Sequence, residues 1–131
     1  MENLGYKGTW GKSGVKIKVT IDLISFEDEG SIIFYCPALD LSGYGNDEKE
    51  AKQSFQVVLD QYFSYTLNKG TFTKELKKLG WKVTKSKRKP ITPPNLESLL
   101  RDNENFSNIF NTHDFRKFTE GIDMPQPIAI A

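Results

Sequence analysis

Residues that could bind phosphate lie near the start of the chain, in the stretch GYKGTWGKSG. Gly11, Lys12 and Ser13 match the end of a phosphate-binding loop. Five residues separate Gly5 from Gly11, whereas that loop has about four between its glycines and is followed by a helix rather than a strand. We therefore interpret residues 1–13 as a flexible N-terminal arm.

Carboxylates on a predicted strand and a predicted helix suggest a second chemistry, that of a Mg²⁺-dependent nuclease. The candidates are Asp22, Asp40, Glu50 and Asp60. Asp22 falls on the polar side of its strand, Asp60 falls on the outward side of its helix, and Glu50 fits a helix cap. This pattern favours solvated carboxylates. The sequence predicts no catalytic residues, no metal, no other cofactor and no enzymatic activity.

Two further reactive residues occur once each. Cys36 lies within an apolar run, which predicts a buried thiol without a redox role. His113 lies beside Asp114, with no cysteine or second histidine to share a metal. We interpret His113 as a surface histidine.

The composition predicts one domain with a looser arm. The chain has 131 residues, of which 37% are hydrophobic and 27% are charged, enough for a modest core. No apolar run is long enough to cross a bilayer, and the N-terminal stretch lacks the apolar centre of a signal peptide. We expect no membrane association and a cytoplasmic location.

Three short strands are predicted before residue 46. The run VKIKVTIDLISF alternates apolar and polar residues, which is typical of a half-buried strand. The polar turn EDEG separates it from SIIFYC, so these two strands are expected to be antiparallel. Pro37 closes the second strand or marks an edge, and LSGYG is a short third strand or an extended turn.

The strongest local signal is the start of a helix at Asp47 or Glu48. Asp47 can accept a hydrogen bond from the first helical turn, and Glu50 can reach back to complete a capping box. Asn68 and Gly70 are suited to end the helix. The apolar residues at helical spacing, expected to cover the sheet, are Ala51, Phe55, Val58, Leu59, Tyr62 and Phe63.

A short helix with Phe72, Leu76 and Leu79 inward follows, and then a strand with Trp81 and Val83. The fold class is therefore α+β. We predict a three-stranded antiparallel sheet with an amphipathic helix across it, then the short helix and the further strand, in the order β-β-β-α-α-β.

The proline-rich stretch RKPITPP separates this domain, at residues 14–89, from a linker and C-terminal arm at residues 90–131. NLESLLRD and THDFRKF each predict a short helix, and PIAIA is extended. Large apolar residues in the arm need a docking place. We therefore predict a homodimer in which the arm contributes to the interface. The candidate interface residues are Phe106, Ile109, Phe110, Phe115, Phe118, Ile128 and Ile130.

Charge is segregated although the net charge is only +1. The charged residues of the stretch 22–50 are acidic apart from Lys49, whereas residues 69–89 carry Glu75 as their single acidic residue. Basic residues near Phe72 and Trp81 indicate one candidate function, a regulatory protein that binds nucleic acid. The candidate contacts are Lys74, Lys77, Lys78, Lys82, Lys85, Lys87 and Arg88. The bland alternative is a solvated lysine-rich face.

The stretch YCPALDLSGYGNDEKEA carries a family pattern of strand, P-A-L, glycine-bearing segment, capping residue and E-A. The matching residues are Pro37, Ala38, Leu39, Gly43, Gly45, Asp47, Glu50 and Ala51. The chain resembles the HicB-like antitoxin family over about residues 15–86. The resemblance implies a truncated RNase H-like body without catalytic carboxylates.

The resemblance also implies a function. HicB-like proteins bind and sequester a small mRNA-cleaving toxin, HicA, and the same body occurs in stand-alone proteins. Many members add a C-terminal DNA-binding domain. This chain departs from that pattern, because residues 91–131 hold six acidic residues against Arg101, Arg116 and Lys117. A phosphate-contacting domain would be basic. The expected function is thus non-catalytic protein binding, without operator binding.

Overall fold

The structure is a computed structural model that describes residues 5–6, 16–84 and 90–125. In chain order its elements are β1 (Gly5–Tyr6), β2 (Lys16–Asp28), β3 (Ser31–Cys36), β4 (Leu41–Gly45), α1 (Glu48–Lys69), α2 (Phe72–Lys78), β5 (Lys82–Val83), β6 (Ile91–Thr92), α3 (Leu96–Asp102), α4 (Glu104–Thr112) and β7 (Phe115–Pro125). The residues singled out above that lie outside the described ranges are Gly11, Lys12, Ser13, Lys85, Lys87, Arg88, Ile128 and Ile130.

The predicted α+β class is confirmed. Four antiparallel strands form the main sheet in the order β7-β2-β3-β4, and the two-residue β1 adds a parallel strand beside β7. The prediction of three strands is wrong, because β7 pairs with β2 from Phe26↔Phe115 to Lys16↔Pro125. The local pattern of β2 predicts a strand but does not identify a partner so distant in the chain.

The helix predicted for THDFRKF is also wrong. Thr112 is the last residue of α4, and β7 begins at Phe115. The three-residue spacing of Phe115 and Phe118 fits a helix, but in a strand it places the two rings on opposite faces of the sheet. Phe115 lies opposite Phe26 in the register, and the Phe118 ring stacks on Phe34 with centroids 5.6 Å apart.

The long helix α1 covers one face of the sheet, as predicted. Asp47 is its N-cap and accepts from the Glu50 backbone N–H at 2.8 Å, while Glu50 Oε1 accepts from the Asn46 backbone N–H at 2.9 Å. Gly70 ends the helix with a φ of 69°, a conformation that glycine adopts without strain. The buried apolar residues of α1 are Ala51, Phe55, Leu59 and Phe63.

Two glycines let α1 approach β4 very closely. A Cβ atom on Gly43 would lie 2.2 Å from the Phe55 backbone nitrogen, and one on Gly45 would lie 2.4 Å from the Glu50 Cβ. On the outer edge of β4, the Tyr44 backbone N–H donates to Ser54 Oγ of α1 at 3.2 Å. The glycines of the LSGYG stretch therefore set how close the helix sits on the sheet.

The short helix α2 and the strand after it form where they were predicted. Phe72 and Leu76 are buried, and Trp81 is 3% exposed. The strand β5 pairs with β6 in a separate two-stranded sheet, with Val83 opposite Ile91, instead of extending the main sheet. The Trp81 indole N–H donates to the Ala38 carbonyl at 2.7 Å, and this bond ties the segment to the turn after β3.

The helix α4 packs on the second face of the sheet, and α3 packs against α4. The helix predicted for NLESLLRD is confirmed as α3, and Phe106 and Phe110 lie on α4. The Phe110 ring lies 5.5 Å from the Phe115 ring of β7, between centroids. No helix in the described part of the chain has both the length and the apolar character that a bilayer span requires.

Candidate functional site

The four carboxylates considered for metal chemistry each have a protein partner. Asp22 accepts from Thr119 Oγ1 at 3.2 Å, and Asp60 accepts from Gln56 Nε2 at 3.1 Å. Glu50 belongs to the helix cap. Across residues 5–6, 16–84 and 90–125, no group of three or more histidine, cysteine or acidic side chains could hold a metal ion. Asp22, Glu50 and Asp60 thus make contacts within the domain, and Asp40 belongs to the polar cluster described below.

Cys36 and His113 are positioned by the packing of the sheet. Cys36 is completely buried, and burial raises the pKa of its thiol to about 12, so the thiol stays neutral at neutral pH. The side chain of His113 is 25% exposed, with Nε2 at 3.2 Å from Asp28 Oδ1 and its ring 4.9 Å from the Phe26 centroid. His113 therefore joins the end of α4 to the β2–β3 hairpin.

A polar cluster that the sequence analysis missed joins the turn after β3 to the start of α4. The Tyr35 hydroxyl donates to Asp40 Oδ1 and accepts from Asn103 Nδ2 at 2.9 Å. Burial, and then the hydrogen bond to Asp40, raise the Tyr35 pKa above its ordinary value. Asn103 Nδ2 also lies 3.2 Å from the Pro37 carbonyl, and Asn105 Nδ2 lies 3.3 Å from Asp40 Oδ1.

The polar cluster contains one residue with an unusual backbone. Asp40 has a φ of 55°, an uncommon conformation for a residue with a side chain, although Asp adopts it more readily than most. Beside the cluster is a groove of about 440 Å³ whose charged lining residues are Asp40, Lys78, Asp102 and Glu104. Because the clustered hydrogen bonds join segments within the chain, we interpret the cluster as structural.

Several acidic residues of the stretch 22–50 lie together at one end of the sheet. The register Glu27↔Ile32 and Ile32↔Gly45 places the β2–β3 hairpin tip beside the connection from β4 to α1. Arg116 on β7 pairs with Glu48 at 3.2 Å. We call this surface the acidic end, and its residues are Glu27, Asp28, Glu29, Asp47, Glu48 and Glu50, all exposed.

A second charged surface lies at the opposite end of α1. An open groove of about 730 Å³ separates the last turn of α1 from α2. We call it the lysine groove, and it is lined by Thr66, Leu67, Gly70, Phe72, Thr73, Lys74, Lys77 and Lys78. With about 1.5 Å of rise per residue, the 22-residue helix α1 separates the two charged surfaces by about 33 Å.

The structure brings some candidate nucleic-acid contacts together, and it buries Phe72 and Trp81 in the core. Lys74, Lys77 and Lys78 line the lysine groove, and Lys82 is exposed on β5. Phe72 and Trp81 are each only 3% exposed, so neither ring presents a face on which a base could stack.

The candidate interface residues pack mainly against their own domain. Phe106 is 2% exposed and belongs to the core, and Phe110 is 45% exposed. The candidates that are half-buried against the core are Ile109, Phe115 and Phe118. The homodimer stays a prediction, and Phe110 is its exposed candidate among the residues that the structure describes.

No protein-family model, curated protein or solved structure matches this chain. The coarse class is therefore defined by the fold itself, an α+β domain with helices on both faces of an antiparallel sheet. Its most distinctive surface features are the acidic end and the lysine groove, which lie at opposite ends of one helix.

Proposed function

We propose that this chain is a non-catalytic, HicB-like protein-binding module that sequesters a small mRNA-cleaving toxin of the HicA type. The resemblance over about residues 15–86, carried by motif residues between Pro37 and Ala51, motivates the proposal. The residues that carry the resemblance have structural roles. Gly43 and Gly45 allow α1 to lie close to β4. Asp47 and Glu50 cap the start of α1. A body of this kind is a rigid support for a binding surface.

The observation that carries the proposal is the acidic end. A protein that cleaves mRNA must bind phosphates and therefore presents a basic surface. The complementary surface on this chain is the exposed set of carboxylates on the β2–β3 hairpin tip and the first turn of α1. Among the described residues, no ion pair involves Glu27 or Glu29, whereas Glu48 pairs with Arg116. These two glutamates are thus available to a basic partner.

Electrostatic complementarity of this kind speeds association and selects the partner. It also matches the expectation of a toxin inhibitor, because a carboxylate-rich surface laid over a phosphate-binding site competes directly with RNA. The acidic end is built on the hairpin tip and the capped start of α1, so its charges occupy defined positions.

The test is to co-express this chain with the product of the adjacent reading frame, and to assay binding and RNA cleavage by that product. We expect a stable complex and suppressed cleavage. The double variant Glu27→Lys with Glu29→Lys should weaken the complex by at least about tenfold, since opposite charges become like charges. The control is Glu97→Lys with Asp102→Lys, which changes the net charge equally at exposed positions on α3.

The proposal fails if the product neither binds this chain nor is inhibited by it. It also fails if the two double variants weaken binding equally, because a site at the acidic end would then be excluded. RNA cleavage by this chain alone would exclude the non-catalytic reading.

A second candidate function is nucleic-acid binding by the basic segment. It is favoured by the exposure of Lys74, Lys77, Lys78 and Lys82 on neighbouring elements. With Phe72 and Trp81 buried, contact would rest on phosphates alone, so affinity should be weak and should fall steeply with salt. A complex that is sequence-specific and survives moderate salt would favour this candidate over toxin binding.

The homodimer is a further part of the proposal. Phe110 is a large apolar side chain left 45% exposed on α4, and a second copy of the chain would cover it. Mass measurement in solution should give a dimer for the full chain and a monomer for Phe110→Glu. A dimer that persists in this variant would place the interface elsewhere.

A further inference from the structure

The lysine groove combines apolar and basic surface in one concavity. Gly70 reverses the chain after α1, and α2 starts two residues later, so the two helices leave an open groove between them. Leu67 contributes exposed apolar surface above the buried Phe72. The groove volume of about 730 Å³ is within the range of clefts that bury ligands, about 300–1,000 Å³.

Leu67, in the last turn of α1, is the exposed apolar side chain of the groove. It is 37% exposed. The carbon chains of the surrounding lysines add apolar surface beside it, while their charged ends stay in water.

The charge around the groove is mainly positive, although Glu75 lies on α2 among the lysines and Lys78 also lines the groove that holds Asp40, Asp102 and Glu104. Lys74, Lys77 and Lys78 are exposed, and none of the ion pairs among the described residues involves any of them. A ligand for this surface therefore needs carboxylates or phosphates at its edge and apolar groups at its centre.

A nucleic acid meets only half of this requirement. Its phosphates would pair with the lysines, but Phe72 is 3% exposed and presents no face for stacking. A helix with one apolar face and acidic flanks meets both requirements, because its apolar residues at i, i+3, i+4 and i+7 fill a groove while its carboxylates reach the rim.

We propose that the lysine groove docks an acidic amphipathic helix of a partner protein. This surface is distinct from the acidic end, which lies at the other end of α1. The chain thus has two binding surfaces of opposite charge, and the groove does not depend on the toxin proposal.

The probe is a synthetic peptide of about 18 residues, or about five helical turns, with leucines on one face and glutamates on its flanks. Its binding to the full chain is followed by fluorescence anisotropy and by amide chemical shifts. We expect binding, with the shifts concentrated between Thr66 and Lys78. A peptide with lysines in place of the glutamates, and a single-stranded RNA, are the comparison ligands.

Variants separate the two components of the groove. Lys74→Ala with Lys77→Ala should weaken peptide binding by about fivefold to tenfold, as expected for two exposed ion pairs at a rim. Leu67→Ser should weaken it by a similar factor through lost apolar contact. The control is Lys49→Ala with Lys82→Ala, which removes the same charge at exposed positions outside the groove.

Several results would overturn the proposal. They are failure of the acidic peptide to bind, equal loss in the groove variants and the control, shifts centred outside Thr66–Lys78, and tighter binding of the RNA than of the peptide. Because none of these ligands is the toxin, failure here leaves the acidic-end experiment unaffected, and the reverse also holds.

Discussion

The two faces of the sheet are covered in different ways. On the α1 face, helix and strand backbones come close because Gly43 and Gly45 leave no side chains between them. On the α4 face, aromatic rings fill the space, and polar contacts such as Asn103 to Tyr35 fix the helix in place. The stability of the protein should therefore be sensitive to atoms added on the α1 face and to atoms removed on the α4 face.

The largest effect is expected on the α4 face, at Phe106. Phe106→Ala removes a ring that is 2% exposed and should lower the free energy of unfolding by about 4 kcal/mol through lost transfer energy and a cavity. The measurement is urea unfolding. The matched control is Phe110→Ala, which should cost about 1 kcal/mol because Phe110 is 45% exposed. Equal losses of unfolding free energy would mean that the packing of α4 does not depend on the buried Phe106 ring.

The corresponding change on the α1 face is an added methyl group. Gly43→Ala places a Cβ atom 2.2 Å from the Phe55 backbone nitrogen, so α1 must shift, at a cost of about 3 kcal/mol. The neighbouring Ser42→Ala is the control, since Ser42 is exposed on the same strand. If both variants unfold at the same urea concentration, the close approach of α1 to β4 does not contribute to stability.

A pair of tyrosines sharpens the comparison at the level of single hydroxyls. Tyr35→Phe removes the hydroxyl that bonds to Asp40 and Asn103 and should cost about 1.5 kcal/mol of unfolding free energy. Tyr62→Phe removes a buried hydroxyl that has no hydrogen-bond partner among the described residues, so it should leave stability unchanged or raise it by up to about 1 kcal/mol. If Tyr62→Phe costs more unfolding free energy than Tyr35→Phe, the polar cluster around Tyr35 does not contribute to stability.

The last prediction concerns alkaline pH and Cys36. Burial raises the pKa of this thiol from 9.0 to about 12. Between these two pH values the thiol has lost its proton in the unfolded chain but retains it in the folded chain. The stability that this thiol contributes is therefore fully present below about pH 9 and is lost progressively up to about pH 12. Comparing urea unfolding at about pH 8 and about pH 10.5, Cys36→Ala should lose less stability than the parent chain. Identical losses would mean that Cys36 ionises as freely in the folded state.

Sequence patterns predicted the elements whose signals are local. The Asp47 cap of α1 and its end at Gly70 depend on residues within one turn, and both are confirmed. The alternation of β2 and the burial of Cys36 are likewise confirmed. The glycines were identified as part of a family pattern, but their physical role required the helix to be placed on the strand.

The candidate sites were predicted less well than the elements. The lysines of the groove were singled out by charge, but the apolar contribution of Leu67 was missed because one exposed leucine has no distinctive sequence signal. The polar cluster was missed because Tyr35 and Asn103 are 68 residues apart. A capping asparagine at position 103 was the one local signal that could have drawn attention to it.

The α+β class, the capped amphipathic helix and the segregation of charge could be predicted from the sequence, because each follows from residue types at short spacing. Only the tertiary structure decided that β7 completes the sheet, with Thr119 bonded to Asp22 at a separation of 97 residues, and that Phe106 serves the core. Strand pairing uses backbone groups that every residue carries. The choice of partner therefore depends on the assembled fold more than on the local pattern.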